Sequence, residues 1–167
     1  MCSYEIEALE YIAKIADGGM RDAITMMDKC LAYSKELTLE NVVAALGVAD
    51  YDVMMELTDS LIYVDAPGVV KVIEDMHNAG KDLKQFVRLY MQFILDVNKY
   101  ILGVPWEYMN IPKIEAYETW LRDLPEDDID YMNKLLATLV RLNADIKHNP
   151  SPKYEIEARL MGGSYKW

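Results

Sequence analysis

The sequence predicts an all-α protein. Of its 167 residues, 52% are hydrophobic, while 8 are Gly and 6 are Pro, a composition that can bury a substantial core and shows no bias towards disorder. Residues that favour helices recur along the whole chain, whereas the period-two alternation of a half-buried strand is hard to find. We therefore expect about nine helices and no sheet.

Two helices joined by a glycine turn are predicted at the start of the chain. Residues 5–16 carry apolar side chains at helical spacing, and Asp17-Gly18-Gly19 then supplies residues that tolerate a turn. The second helix should run from Met20 to Tyr33, with an apolar face formed by Ala23, Ile24, Met27, Cys30 and Leu31. We expect the two helices to pack as a pair.

A short third helix is expected to end at a boundary between two helical units. Thr38 is a plausible N-cap, with Leu37 and Val42 as a hydrophobic staple, and the helix should reach Leu46 before Gly47 closes it. Asp50 then caps a new helix. We therefore divide the chain into a first unit at 1–47 and a second at 48–167, with the boundary near residues 47–49.

The second unit should begin with a helical hairpin and a long central helix. Residues 51–64 and 66–79 are predicted to be the hairpin, with Pro67 in a first turn. Asp82 is expected to start the long helix, which runs to about residue 102. Its core stripe consists of Phe86, Tyr90, Phe93, Ile94, Val97 and Ile101.

The rest of the chain is predicted to be a connector followed by three helices. The connector spans residues 103–112, and the helices are expected at 113–123, 129–147 and 154–161. Residues 162–167 are predicted to be a fraying tail.

Charge and cysteine content restrict the function classes. A net charge of −11 argues against a broad DNA-binding surface, because affinity for nucleic acid rests mainly on Lys and Arg. Cys2 and Cys30 lack the neighbouring His or Cys of a zinc site or disulfide framework. Charges interrupt the apolar stretch at 83–102, and the N-terminus lacks the pattern of a secretory signal. We expect a cytoplasmic protein that contacts no membrane.

The segment Gly18-Gly19-Met20-Arg21-Asp22 is the most informative motif. An arginine fixed at a helix start is suited to contacting phosphate, because its guanidinium is a permanently charged planar fork. The chain contains no Gly-x-x-x-x-Gly-Lys-Ser/Thr loop that would hold a triphosphate. Any nucleotide that this arginine senses is therefore expected to be held elsewhere.

Residues 8–29 resemble the DNA polymerase III gamma/tau subunit, a bacterial clamp loader of the AAA+ type. The resemblance rests on Ala-Leu-x-x-Ile-Ala-x-x-Ala-Asp-Gly from Ala8 to Gly18, followed by Arg21-Asp22-Ala23. Residues 38–47, Thr-Leu-Glu-Asn-Val-Val-Ala-Ala-Leu-Gly, continue it. From residue 50 onwards it rests on the order and length of the helices.

The resemblance implies a lid followed by a collar. Residues 1–47 would be the C-terminal part of the AAA+ lid, and 48–167 the helical collar through which loader subunits assemble. Arg21 would be the second sensor, pointing towards the terminal phosphate of ATP, and Asp22 would orient the start of its helix. ATP and magnesium would bind the intact protein, an ATPase within the DNA polymerase III holoenzyme, a DNA-directed DNA polymerase.

The chain departs from the family pattern in what it lacks. The phosphate-binding loop, the acidic magnesium motif, the arginine finger and the zinc-binding insertion of the family are not found in these 167 residues. We therefore interpret the chain as a fragment of a clamp loader that functions in DNA replication, and we expect neither catalytic residues nor ATP hydrolysis from it alone. Its partners would be the other loader subunits, with the sliding clamp, polymerase and primed DNA reached through the intact assembly.

Two other functions are open to the sequence. One is a free-standing acidic helical adaptor that binds another protein. The other is a metal enzyme, because Glu74-x-x-His77 and Asp145-x-x-His148 resemble the pairs of di-iron bundles. Each His, however, lies at a predicted helix C-terminus, where a cation is favourable without a metal. We therefore expect no metal site.

Three further groups have a structural and a functional interpretation. The acidic run of residues 126–128 and 130 could attract a metal or a basic partner, but we expect it to complement a helix dipole. The methionines could form a recognition surface, but we expect them to belong mainly to the core; they are Met20, Met26, Met27, Met54, Met55, Met91 and Met132. The aromatic residues Trp106, Tyr108, Tyr117 and Trp120 could form either a satellite core or a subunit contact.

Overall fold

Helices make up most of the computed structural model, which describes residues 3–47, 50–125 and 129–163. Within these ranges lie nine α-helices: α1 (Ile6–Ile15), α2 (Met20–Tyr33), α3 (Leu39–Leu46), α4 (Tyr51–Ile62), α5 (Ala66–Asn78), α6 (Leu83–Ile101), α7 (Glu115–Arg122), α8 (Ile129–Asp145) and α9 (Lys153–Gly163). Two 3₁₀ helices, Trp106–Tyr108 and Ile146–His148, complete the helical structure of these residues. The predicted all-α class is confirmed.

A pair of two-residue strands departs from the expectation of no sheet. β1 (Ser3–Tyr4) and β2 (Glu36–Leu37) pair in parallel, with Ser3 opposite Glu36 and Tyr4 opposite Leu37. The Glu5 N–H extends the pair by donating to Leu37 O at 3.0 Å. Strands this short leave no periodic pattern in a sequence, because two residues cannot show alternation.

Two compact units divide the chain. The first comprises Met1–Val48 and Pro112–Glu118, and the second Ala49–Ile111 and Thr119–Trp167. Several features predicted from the sequence, namely Cys2, residues 48–49, the acidic run 126–128 and tail residues 164–167, lie outside the described residues.

The first unit is built on α1, α2 and α3, which pack against one another as expected for the first pair. Its core contains Ala8, Tyr11, Ile12, Cys30, Leu37, Leu39, Val42 and Val43. Thr38 caps α3 as predicted, because its Oγ1 accepts from the Asn41 N–H at 3.2 Å. Gly47 ends α3 in the left-handed conformation, with φ of 55°, which glycine adopts without steric cost.

The second unit is centred on α6. Its buried side chains include Phe86, Tyr90, Phe93, Ile94 and Val97 of the predicted stripe. α6 packs along α8, whose Met132, Leu135, Leu139 and Leu142 are fully buried, and it also contacts α4. α4 and α5 pack against each other as expected for a hairpin, and α9 packs on α5 and α8.

A buried carboxylate ties the chain after α6 to that helix. Asp96 is fully buried, and its Oδ1 accepts from Lys99 Nζ at 2.9 Å. Its Oδ2 accepts from the backbone N–H groups of Asn110, at 2.6 Å, and Ile111, at 3.3 Å. The charge is therefore both paired and hydrogen-bonded, which is what makes a buried carboxylate tolerable.

Two helix starts in the second unit use their aspartates differently. Asp82 Oδ1 accepts from the N–H groups of Lys84 and Gln85, as its cap role predicts. Asp50 occupies the N-cap of α4, but its side chain makes no capping hydrogen bond.

None of the described helices combines the length and apolar character needed to cross a bilayer.

Candidate functional site

The turn between α1 and α2 sets the direction of the predicted sensor helix. The chain leaves α1 through Asp17 and Gly18, both at positive φ (45° and 82°), and returns to extended geometry at Gly19. The Gly19 N–H donates to Ala16 O at 2.8 Å. Two successive positive φ values reverse the chain within three residues, so Arg21 falls in the first turn of α2.

Close packing at this helix start leaves little room for a side chain at position 19. A Cβ at Gly19 would lie 2.8 Å from Asp22 Oδ2 and 3.0 Å from Ala16 O, closer than non-bonded carbon and oxygen normally approach. The Asp22 carboxylate therefore lies against the N-cap of its own helix. The role predicted for Asp22, orienting the helix start, is compatible with this position and stays a prediction.

Arg21 is exposed at the second position of α2. Its carbonyl accepts from Thr25 Oγ1 at 2.9 Å, and no carboxylate of a described residue lies within ion-pair distance of its guanidinium. The exposure agrees with what a sensor arginine needs. The sensor role itself stays a prediction.

The chemistry available at this helix start is anion recognition. The N-cap residue is Gly19, which offers no side-chain cap, so the N–H groups of the first turn keep their hydrogen-bonding capacity. They carry the positive end of the helix dipole, and the guanidinium beside them adds a full charge and a bidentate donor fork. These donors suit a phosphate oxygen, whereas the Asp22 carboxylate, which lies against the same N-cap, opposes an incoming anion.

The predicted apolar face of α2 is only partly buried, and this corrects the sequence-based interpretation. Cys30 is the buried residue of this helix, whereas Ile24 is 54% exposed and Leu31 38% exposed. Met20, predicted to be core, is 75% exposed, while Met54 and Met132 are fully buried as predicted. Met20, Ile24 and Leu31, spaced by helical turns, form what we call the α2 stripe.

Glu5 is a structural residue that the sequence analysis missed. Its Oε2 accepts from the Leu39 N–H at 2.8 Å, so it caps α3 from a position 34 residues away. Lys29 Nζ donates to Leu46 O at 3.3 Å at the other end of α3. Both side chains satisfy helix-end groups that would otherwise lack partners. No local spacing signals a contact of this range.

The aromatic residues near the connector do not share one environment. In the second unit, the Trp106 indole donates to Ile111 O at 2.9 Å, and its ring meets Tyr100 edge-on at 6.0 Å. The Trp120 indole instead donates to Asp59 Oδ1 at 3.0 Å, and its ring lies 5.6 Å from Phe93. Trp106 and Trp120 thus lie in separate contacts within that unit, while Tyr108 is 64% exposed.

The carboxylates of the two Glu/Asp-x-x-His pairs are engaged in ion pairs. Glu74 binds Lys153, and Asp145 Oδ2 binds Arg159 at 2.8 Å. The Lys153 contact raises the pKa of the Lys153 ammonium, chiefly through its hydrogen bond to Glu74. In the part of the chain that the structure describes, no three His, Cys, Asp or Glu side chains group as metal ligands.

The described cysteine, Cys30 of α2, is buried in the first unit. Burial raises the pKa of its thiol, and the nearby Lys29 opposes the shift. A thiol with a raised pKa is a poor nucleophile at neutral pH, because the thiolate is the reactive form. Cys30 is therefore a packing residue.

Comparison with known proteins finds a family match at the start of the first unit. Residues 1–36 match the family described as DNA polymerase III clamp loader subunit, ATPase lid domain. The chain is 26% identical over 156 residues to DNA polymerase III subunit tau of Bacillus subtilis, a match that covers 92% of the chain and 27% of that protein.

Two plant proteins are also similar. Protein STICHEL-like 1 of Arabidopsis thaliana is 31% identical over 135 residues, which is 81% of the chain and 12% of that protein. Protein STICHEL of the same plant is 29% identical over 101 residues, 58% of the chain and 8% of that protein. The chain thus spans about a quarter or less of the length of each relative.

These matches confirm the resemblance to the gamma/tau clamp-loader subunit that residues 8–47 predicted. The lid match contains the turn, Arg21 and all of α2. The tau match extends the similarity through both units. They favour a clamp-loader-like chain over a free-standing acidic adaptor.

Proposed function

We propose that this chain, whose residues 1–36 match the ATPase lid of DNA polymerase III clamp loader subunits, couples a nucleotide-sensing lid to an assembling collar in DNA replication. Residues 1–47 serve as the lid and 48–167 as the collar. The observation that carries the proposal is the exposed Arg21 at an uncapped helix start inside the matched lid segment.

The proposed role of Arg21 is to distinguish ATP from ADP. The ATP, with magnesium, is held by an ATPase domain of the intact protein, and Arg21 reaches the terminal phosphate from the lid. Hydrolysis removes that phosphate, so Arg21 makes this contact in the ATP-bound state and loses it in the ADP-bound state. The lid then moves relative to the nucleotide, as switch elements ordered by a γ-phosphate do.

The α2 stripe supports a lid that packs on a further surface. Met20 lies next to Arg21, and Ile24 and Leu31 continue along α2, all substantially exposed within the described first unit. Apolar side chains at helical spacing indicate a face meant for burial. In the intact protein, this face lies against the domain that holds the nucleotide.

The collar proposal is tested by reconstitution. We expect the purified chain to join the other loader subunits in one complex on size-exclusion chromatography and analytical ultracentrifugation. The contacts belong to the second unit, so Arg21→Ala should assemble as the original chain does. Failure of the folded chain to enter any complex would contradict the collar role and leave the sensor role standing.

The sensor proposal is tested in a protein that contains the ATPase domain. Arg21→Ala should reduce ATP-dependent clamp loading by at least about tenfold, the usual effect of losing a charged contact to phosphate. Arg141, an exposed arginine of α8, provides the control, and Arg141→Ala should change loading little. Equal losses in both variants would contradict a specific role for Arg21.

The reading frame gives a direct check of the domain context. We expect the encoding frame upstream of residue 1 to specify a Gly-Lys-Thr loop. A start of the frame at Met1 would contradict the interpretation as part of a larger ATPase.

A further inference from the structure

A groove of about 670 Å³ lies on the second unit, between one face of α4, the start of α5 and Trp120 of α7. Its apolar surface comes from Met55, Tyr63 and the half-buried Trp120. Tyr63 is 72% exposed, and the adjoining Val64 is 41% exposed. An aromatic ring held this far into solvent beside a concave surface is available for contact with another molecule.

The groove is rimmed by carboxylates. Those that line it are Asp52, Glu56, Asp59 and Asp65. Among the described lining residues, Lys71 is the one cation, and its ammonium already pairs with Glu56 at 3.9 Å and Asp75 at 3.7 Å. The groove therefore combines apolar surface with a local excess of negative charge.

Asp59 is the carboxylate of the groove that lies beside Trp120. Trp120 Nε1–H donates to its Oδ1 at 3.0 Å, and burial raises the pKa of the Asp59 carboxyl against the effect of that hydrogen bond. No Lys, Arg or His of the described chain lies within ion-pair distance of it. A partly desolvated carboxylate without a counter-ion gains stability when a cation arrives.

The groove is kept open by a glycine. A Cβ at Gly68 would clash with Asp65 Oδ2 and lie 2.7 Å from Ser60 Oγ, so a larger residue would push these two side chains of the groove wall aside. The Gly68 N–H donates to Asp65 Oδ1 at 3.2 Å, which fixes that carboxylate at the N-cap of α5. The wall is thus held by the fold before any partner binds.

We propose that this groove docks a basic segment of a partner protein. An Arg or Lys side chain of the segment pairs with Asp59 over the Trp120 ring, where cation–π attraction adds to the ion pair. An apolar side chain of the same segment packs on Tyr63 and Met55.

Charge complementarity selects this occupant. Nucleic acid is excluded because its phosphates would meet carboxylates. A second copy of this chain carries a net charge of −11 and is repelled from an acidic groove. A small cation would satisfy Asp59 but would leave the exposed Tyr63 and Val64 uncovered. The inference concerns the second unit alone and does not rest on the sensor role of Arg21.

The experiment uses the full chain and a synthetic amphipathic peptide that presents Arg and Leu on one helical face. The readout is the indole N–H signal of Trp120 in ¹H–¹⁵N spectra, assigned by its loss in Trp120→Phe. We expect a saturable shift of this signal. A matched peptide with Gln in place of Arg should bind at least about tenfold more weakly, the effect of losing a charge-assisted hydrogen bond.

Matched variants separate a defined site from general attraction. Asp59→Asn keeps an oxygen acceptor for the Trp120 indole and should weaken binding about tenfold. Glu56→Gln should also weaken peptide binding. This second variant tests the proposal if Asp59→Asn does not fold. Glu107→Gln removes the same charge from an exposed 3₁₀ helix and should change affinity less than about twofold.

Three results would overturn the proposal. The first is equal weakening by Glu56→Gln and Glu107→Gln, which would indicate non-specific attraction. The second is a Trp120 signal that does not move while the peptide binds elsewhere. The third is spermine giving the same shift at the same concentration, which would make the groove a site for small cations.

Discussion

The longest helices of the two units differ in how much of each is covered by its own unit. α6 in the second unit buries nine of its 19 residues. α2 in the first unit has 14 residues, and Cys30 is the one that is buried. Both helices carry an apolar face in the sequence, yet α6 is enclosed while the α2 stripe meets solvent.

The difference indicates separate sources of stability. Burying apolar area is the main favourable term in folding, so the second unit should derive its stability from its own core. The first unit leaves the α2 stripe exposed. A lid that packs reversibly on another domain needs such a surface, because apolar side chains that are not buried in the lid's own core can be buried against that domain.

The buried ion pair of the second unit gives the largest expected effect. Asp96→Ala removes one acceptor of the Lys99 ammonium, which keeps its hydrogen bond to Tyr108 O, and leaves the backbone N–H groups of Asn110 and Ile111 without their acceptor. We expect the free energy of unfolding in urea to fall by about 2–5 kcal/mol, because each unsatisfied buried donor costs about 1–3 kcal/mol.

Asp75, whose exposed carboxylate pairs with Lys71 at 3.7 Å, provides the control. Asp75→Ala should lower stability by less than about 1 kcal/mol. Equal losses at Asp75 and Asp96 would mean that burial does not distinguish the two pairs.

Matched isoleucine truncations test the comparison directly. Ile94 of α6 is fully buried, and Ile24 of α2 is 54% exposed. Ile94→Ala should cost about 2–5 kcal/mol through the lost burial and the cavity that remains. Ile24→Ala should lie within about 0.5 kcal/mol of the original chain. Denaturant unfolding measures both, and a large loss at Ile24 would show that the α2 stripe is covered in the isolated chain.

Backbone strain is placed differently in the two units. The first unit reverses direction through Asp17 at φ 45° and Gly18 at φ 82°, whereas the second holds a β-branched residue, Val64, at φ 58°. Gly18→Val should destabilise the chain by about 1–2 kcal/mol, the cost of a side chain in the left-handed region. Val64→Gly should be neutral or stabilising by up to about 1 kcal/mol, since relief of strain is partly offset by unfolded-state entropy. Thermal unfolding followed by circular dichroism shows whether each variant is less or more stable than the original chain. A loss of stability in both variants would show that Val64 is not strained.

Asp59 gives the smallest effect, with a defined dependence on pH. Burial raises its pKa in the folded protein above the ordinary value of 3.8, so the folded state binds the proton more tightly than the unfolded state. Its contribution to stability is therefore largest below pH 3.8 and is lost as pH rises through the folded pKa. Asp59→Asn should exceed the original chain in stability at pH 7 by less than about 1 kcal/mol, because the group is partly solvated.

The measurement is the difference in unfolding free energy between Asp59→Asn and the original chain from pH 7 to pH 3. That difference should shrink as pH falls. A difference that grows towards low pH would mean that folding lowers the pKa of Asp59 instead of raising it.

Local signals accounted for most helix boundaries. The predicted bounds of α2, Met20–Tyr33, are those observed, and α3 begins after the predicted cap and ends before Gly47. Capping, left-handed glycine and helical periodicity act within a few residues, so a sequence displays them directly. The contact of Glu5 with α3 and of Asp96 with residues 110–111 joins segments far apart in the chain, and no local rule indicates them. The i,i+3 spacing of Asp96 and Lys99 on an apolar helix was the one available hint of the buried pair.

The candidate site shows the same division. The glycine turn, the helix start and the presence of Arg21 in its first turn follow from residues 17–22, because each depends on local backbone preference. Whether the α2 stripe is covered, and whether Asp59 meets a cation, depends on surfaces supplied by distant segments. By itself, the sequence determined the helices, their apolar faces and the place of Arg21. Tertiary structure alone decided which of those faces are buried, because periodicity shows that a face is apolar but not what packs against it.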